Sequence, residues 1–145
     1  MMEQEVRILL VEDNPGDVLL IQEAFIEILI NNIEVAIDGQ EALDILFKKD
    51  KYKNFETPDI ILLDLNLPKK SGPEVLEVIK NDDKLKHIPV IVLTSSQAEM
   101  DIVKTYNLHA NSYVIKPLDF DDLIKVVKSI RDFWFKVVKL PPRDE

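Results

Sequence analysis

A chain of 145 residues, 46% hydrophobic and 31% charged, has the size and make-up of one globular domain with its own core and little room for a second module. Its 18 Lys+Arg against 27 Asp+Glu leave a formal net charge of -9, which repels a phosphate backbone, and no basic patch offsets it, so a nucleic-acid partner is not expected. With no cysteine, no basic-then-apolar leader and no apolar run near the ~18 residues of a membrane span, disulfide chemistry, secretion and membrane insertion drop out and a cytoplasmic protein is expected.

Val6 to Val11 is a short, mostly continuous apolar run, the pattern of a strand buried on both faces, and it closes on Glu12 and Asp13. Asn14-Pro15 then signals a helix, read over Val18 to Ile30, with Leu19, Ile26, Leu29 and Ile30 on its apolar stripe. Asn31-Asn32 breaks it, and the alternation of Ile33 to Ile37 gives a second strand ending at Asp38-Gly39. A helix follows over Glu41 to Lys49, and a lysine-rich loop runs to Thr57. Pro58 to Pro68 holds the unbroken aliphatics Ile60 to Leu63 and places Asp64 where that run meets a proline-marked loop. A further helix reaches about Asn81, and Pro89 to Leu93 is a fourth strand that ends in the hydroxyls Thr94, Ser95 and Ser96. Glu99 to Tyr106 has helical spacing with a thin apolar face, Asn111 to Ile115 is a fifth strand closed by Lys116-Pro117, and Asp119 to about Val138 is a long helix. That last helix carries Leu123, Val127, Ile130, Trp134 and Val138 on one stripe.

Strands that alternate with helices in this way predict an α/β domain, a doubly wound parallel sheet with helices on both faces. Right-handed crossovers give five strands the flavodoxin-like order 2-1-3-4-5. In such sheets ligands bind beyond the carboxyl ends of the strands, beside the point where the order reverses. That rule brings Glu12, Asp13, Asp64, Thr94 and Lys116 to one patch. Crowded carboxylates raise one another's pKa unless a cation sits among them, and oxygen-only ligands suit Mg2+ or Mn2+. A lysine, a hydroxyl and a carboxylate able to attack phosphorus complete a set matched to phosphoryl transfer, with Asp64 as the attacking group. Each residue also has a plainer explanation: Asp64 as a turn aspartate, Glu12 and Asp13 as acids at a helix start, Lys116 as a solvated loop lysine and Thr94 as a turn hydroxyl. Only their shared position at strand ends weighs against it. His87 and His109 fall away from these ends and are read as ordinary.

Val11-Glu12-Asp13-Asn14, Leu63 to Pro68 with Gly72 after it, Leu93-Thr94-Ser95 and Tyr113 to Pro117 together resemble the receiver domain of two-component response regulators. The resemblance covers Val6 to about Ile130. It is greatest to single-domain regulators of the cyanobacterial phytochrome type, through Asn14-Pro15-Gly16-Asp17 and the tail from Phe133-Trp134 to Leu140-Pro141. It implies that Asp64 accepts a phosphoryl group from a sensor histidine kinase, and that Asp13, Asp64 and the backbone carbonyl of Asn66 ligate Mg2+ with Glu12 acting nearby. It further implies that Lys116 contacts the phosphoryl group, that the Lys116-Pro117 bond is cis, and that Thr94 and Tyr113 are the switch residues. Asn66 and Ser96 stand where the family tunes phosphoryl lifetime. Glu12 departs from the commoner aspartate.

Residues 1–132 are thus expected to form a receiver and 133–145 a helix extension and tail with no output domain, in a signalling protein that is not a dedicated enzyme. Phe133, Trp134, Phe135, Val137, Val138 and Leu140 point to a homodimer through the last strand, helix and tail. The competing readings are a degenerate receiver that only binds proteins, an FMN binder, for which the acidic first loop is wrong, and a Mg2+-dependent aspartyl-phosphate phosphatase. The phosphatase would need a second acid two positions beyond Asp64, where Asn66 stands.

Overall fold

The aliphatic runs become strands because both of their faces are covered. In β1 (Ile8–Val11), β3 (Ile60–Asp64) and β4 (Val90–Thr94) every residue is buried, as continuous apolar strands in a parallel sheet require. With β2 (Ile33–Ala36) and β5 (Ser112–Ile115) they form one sheet of five parallel strands in the order 2-1-3-4-5, the flavodoxin-like arrangement. The computed structural model describes residues 6–30, 32–94, 112–116 and 119–133. The helix expected over 99–106 and the tail from 134 onward lie outside them.

Four helices, α1 (Pro15–Glu27), α2 (Gly39–Leu46), α3 (Gly72–Asn81) and α4 (Phe120–Ile130), are described. They sort into two layers. On one side α2 and α3 bury Ala42, Leu43, Val75, Leu76 and Ile79 against Leu9, Val11, Ile61 and Leu63. On the other, α1 and α4 bury Ile21, Phe25, Leu123, Val127 and Ile130 against Ile8, Leu10, Ile60 and Leu62. Odd and even residues of the strands feed opposite cores, as the period of two dictates.

Of the apolar residues expected to mark the buried side of α1, only Ile30 packs on the core. Leu19 and Ile26 are 56% and 55% exposed, and Leu29 is 93% exposed, while Ile21, Ala24, Phe25 and Ile28 face the sheet. This helix carries apolar residues on two faces, and spacing alone does not say which of them the sheet covers. It also begins at Pro15 rather than Val18. Asn14 Oδ1 accepts the Asp17 N–H at 3.0 Å, and a proline at the first helical position has no N–H to satisfy. Just past its end Leu29 takes φ 66°, the left-handed region usually given to glycine. α2 likewise starts at Gly39, ahead of Glu41, because Asp38 Oδ1 accepts the Glu41 N–H at 2.7 Å. The lysine-rich loop contains a 3-10 turn, Asp50–Tyr52.

Gly72 ties α3 to the end of β3. Its N–H donates to the Leu65 carbonyl at 3.0 Å, and a Cβ there would lie 2.5 Å from the Asp64 carbonyl oxygen and 2.6 Å from Leu65 Cα. Both neighbours are backbone, so an added methyl must push α3 off the strand end. Gly72→Ala is expected to lower stability by about 2 kcal/mol, read as a lower urea midpoint. An unchanged midpoint would show that this contact is not constrained.

Candidate functional site

Leu10, Leu62 and Val114 all belong to the α1 and α4 side of the sheet. Two residues further along each strand stand Glu12, Asp64 and Lys116, which the period of two carries to that same side. Register sets Glu12 level with Asp64, since Leu10 pairs with Leu62, while Asp64 pairs with Leu93 and Leu93 with Val114, so Lys116 lies two residues beyond that level and its long side chain reaches back. The Lys116 ammonium then donates to Glu12 Oε1 at 2.6 Å, to Asp64 Oδ2 at 2.8 Å and to Asp17 Oδ2 at 3.0 Å. Asp64 Oδ1 accepts the Asn66 N–H at 2.8 Å, and Glu12 Oε2 accepts the Asn14 N–H at 3.4 Å. Glu12 and Asp64 are 1% and 5% exposed, so these partners replace the water both have lost.

The charges shape one another. Burial, together with the neighbouring Asp64, holds the Glu12 carboxyl up at about 7 from an ordinary 4.5, even though Lys116 works the other way. Burial opposes the Lys116 charge, but hydrogen bonds to Asp64, Glu12 and Asp17 outweigh it, so the ammonium is held above the usual lysine value. Asp13 is exposed at the rim, and one carboxylate oxygen from each of Glu12, Asp13 and Asp64 falls within 4.8 Å of the others. Oxygens alone, gathered this closely and partly open to solvent, fit a hard divalent cation that keeps some of its water.

Of the other anticipated residues, Thr94, Tyr113 and Asn66 are among those described. Thr94 is buried at the end of β4, on the strand parity of Val90 and Val92, and its carbonyl accepts the Lys116 N–H at 2.7 Å. Tyr113 is half-buried against the core of the α2 and α3 side. Asn66 is exposed directly after Leu65, and His87 is exposed on the loop before β4. Ser96, His109 and Pro117, and with Pro117 the peptide bond expected to be cis, lie outside the described residues. Asp17 was not anticipated. As a first-turn acid it reads as helix capping, and only the approach of β5 to α1 discloses its second contact.

The family model for the response regulator receiver domain matches residues 8–128. The chain belongs to the response regulator receiver family. Response regulator Rcp1 of Synechocystis sp. is 45% identical to this receiver over 135 residues, which make up 92% of each chain. The solved structure of the phosphorylated cyanobacterial phytochrome response regulator RcpA superposes with a TM-score of 0.88 at 45% identity, covering 96% of this chain and 100% of that one. The Mn(2+)-bound form of Rcp1 gives a TM-score of 0.84 at 44% identity over 96% of this receiver and all of the other chain.

The raised Glu12 carboxyl sets a pH dependence of stability. In a metal-free, chelated buffer, folded receiver keeps this proton between 4.5 and about 7 while the unfolded chain has already released it, so stability falls as pH rises through that window. The loss from about pH 5 to about pH 8 is expected to be on the order of 2 kcal/mol relative to Glu12→Gln, measured by urea unfolding of both proteins. Parallel pH profiles for the two would show that Glu12 titrates normally.

Proposed function

We propose that this receiver accepts a phosphoryl group on Asp64 from the phosphohistidine of a sensor histidine kinase, in the cytoplasm, and passes the signal on through protein contacts or onward phosphotransfer. One observation carries the reading: Asp64 ends a fully buried strand with one oxygen on the Asn66 N–H and the other on an ammonium that bridges it to Glu12. A carboxylate held this rigidly is a preorganised nucleophile. The phosphorylated state named for RcpA and the Mn2+ named for Rcp1 support the reading through kinship.

In the transfer, an Asp64 oxygen forms the new bond to phosphorus as the phosphorus–nitrogen bond to imidazole breaks, and the electron pair leaves with the imidazole, which takes a proton from solvent. Lys116 turns one of its donors to a phosphoryl oxygen. Thr94 donates its hydroxyl to another, and Tyr113 moves inward behind it, changing the outer face of β5. Glu12, Asp13, Asp64 and the Asn66 carbonyl would hold Mg2+, or Mn2+ in its place. When bound, that ion neutralises charge on the phosphoryl oxygens and among the acids. Such a chain is a signalling domain that phosphorylates and dephosphorylates itself rather than a dedicated enzyme.

With acetyl phosphate or phosphoramidate and Mg2+, the wild type should gain an acid-stable, base-labile phosphoryl group. Asp64→Asn should gain none, and Lys116→Ala should be slowed by about a hundredfold. Labelling of Asp64→Asn equal to wild type, or no labelling of the wild type, would sink the proposal.

The partner surface we propose lies along β5, the edge strand that leads to Lys116. Phe133, 53% exposed, lines an apolar groove of about 320 Å³ together with Ile91, Val114, Val126 and Ile130, and Ile115 on the same strand as Val114 is 44% exposed. A second copy joined through β5, α4 and residues 133–145 would cover it. Sedimentation at high micromolar concentration, with and without beryllofluoride, should report a dimer. A monomer in both conditions would count against this surface.

A further inference from the structure

An ammonium has three N–H donors, and in Lys116 each meets a different carboxylate. These partners are of two kinds. Glu12 and Asp64 belong, with Asp13, to the oxygens gathered within 4.8 Å, whereas Asp17 stands outside that set. A divalent cation among those oxygens would compete with Lys116 for Glu12 and Asp64 and would repel the ammonium. A phosphoryl group on Asp64 converts that carboxylate to an acyl phosphate, a mixed anhydride, and moves its negative charge onto the phosphoryl oxygens. In either case Asp17 keeps a carboxylate for Lys116.

Asp17 is also firmly mounted. Its N–H is capped by Asn14 Oδ1 at 3.0 Å, Pro15 restricts the backbone of the first turn, and Gly16 leaves room for the cap, since a Cβ there would come 3.2 Å from Asn14 Oδ1. Asn14-Pro15-Gly16-Asp17 therefore aims one carboxylate, 41% exposed, from the start of α1 at a lysine that follows β5. The charge pair spans a sequence separation of 99 residues, so α1 capping by itself does not call for it.

We propose that Asp17 is a positioning residue for Lys116: it retains the ammonium beside Asp64 when a divalent cation draws Glu12 and Asp64 away, so that Lys116 stays within reach of the transferring phosphoryl oxygens. The retention stands on geometry, and its catalytic consequence rests on the reading of Asp64 as phosphoacceptor. An acid whose only role is to complement the dipole of α1 would change stability and leave Lys116 where it is.

The test follows the Lys116 ammonium by proton–nitrogen NMR in Mg2+-saturated protein, with Lys116→Arg assigning the signal. Wild type should keep the resonance, Asp17→Asn should lose it to rapid exchange with water, and Asp17→Glu should restore it. Asp17→Ser serves as a second neutral variant should Asp17→Asn fold poorly, with backbone amide spectra checking the fold. Mn2+ affinity of Asp17→Asn should stay within about threefold of wild type, because Asp17 is not among the ligands. Phosphorylation by phosphoramidate at saturating Mg2+ should fall about tenfold in maximal rate with the half-saturating donor concentration unchanged, and recover in Asp17→Glu. A persistent ammonium signal in Asp17→Asn, a large loss of Mn2+ affinity or an undiminished rate each overturns the proposal. If wild type itself takes no phosphoryl group, the functional reading fails while the NMR signal still decides the role of Asp17.

Discussion

Glu12 and Asp64 lie almost wholly out of water, and two carboxylates so placed are tolerated only with a positive charge between them. Lys116 supplies it, at 2.6 Å and 2.8 Å. Much of the fold serves this arrangement. The ammonium hangs from the residue after β5, and of its three partners Asp64 ends β3 and Glu12 follows β1, so three strands must hold register for these charges to meet. The bond from the Lys116 N–H to the Thr94 carbonyl then sets the base of the lysine against β4.

Around this centre the backbone is held more tightly than strand pairing alone would hold it. The Asn66 N–H pins one oxygen of Asp64, and Gly72 lets α3 rest directly on the peptide that follows. Apolar layers on both faces of β3 keep the strand from shifting beneath them. The reactive end of the sheet is therefore stiff where charge is concentrated, and a small change at the rim is felt across several elements because close-packed cores deform little. The same rigidity keeps Asp13, the exposed member of the acidic set, within reach of the two buried ones.

Stability is given up elsewhere. Leu29 is held in left-handed backbone with its side chain almost fully in water, and Leu19 and Ile26 face outward from α1. None of the three adds to the core, and glycine would suit the backbone of Leu29 better. Glu12 adds a further cost, since at neutral pH its buried carboxyl must give up a proton that burial favours keeping.

Much of the architecture was legible from the chain alone. Short continuous aliphatic runs such as Ile60 to Leu63, bounded by proline and acid, read as strands covered on both faces, and strands alternating with helices leave few topologies open once crossovers are right-handed. Acids and a lysine at the ends of those runs were visible for the same reason. The buried face of α1 was not legible, because Leu19 and Ile26 match the helical period as well as Ile21 and Phe25 do. Nor was the contact of Asp17, since a first-turn acid is explained by its own helix and nothing local points to residue 116. Local sequence determined the period of each element, the caps at Asn14 and Asp38 and the residue at each strand end, because these depend on neighbours within a few positions. Only the tertiary structure decided which face of α1 is buried and which carboxylates share one ammonium, because both depend on register and packing between segments up to 104 residues apart.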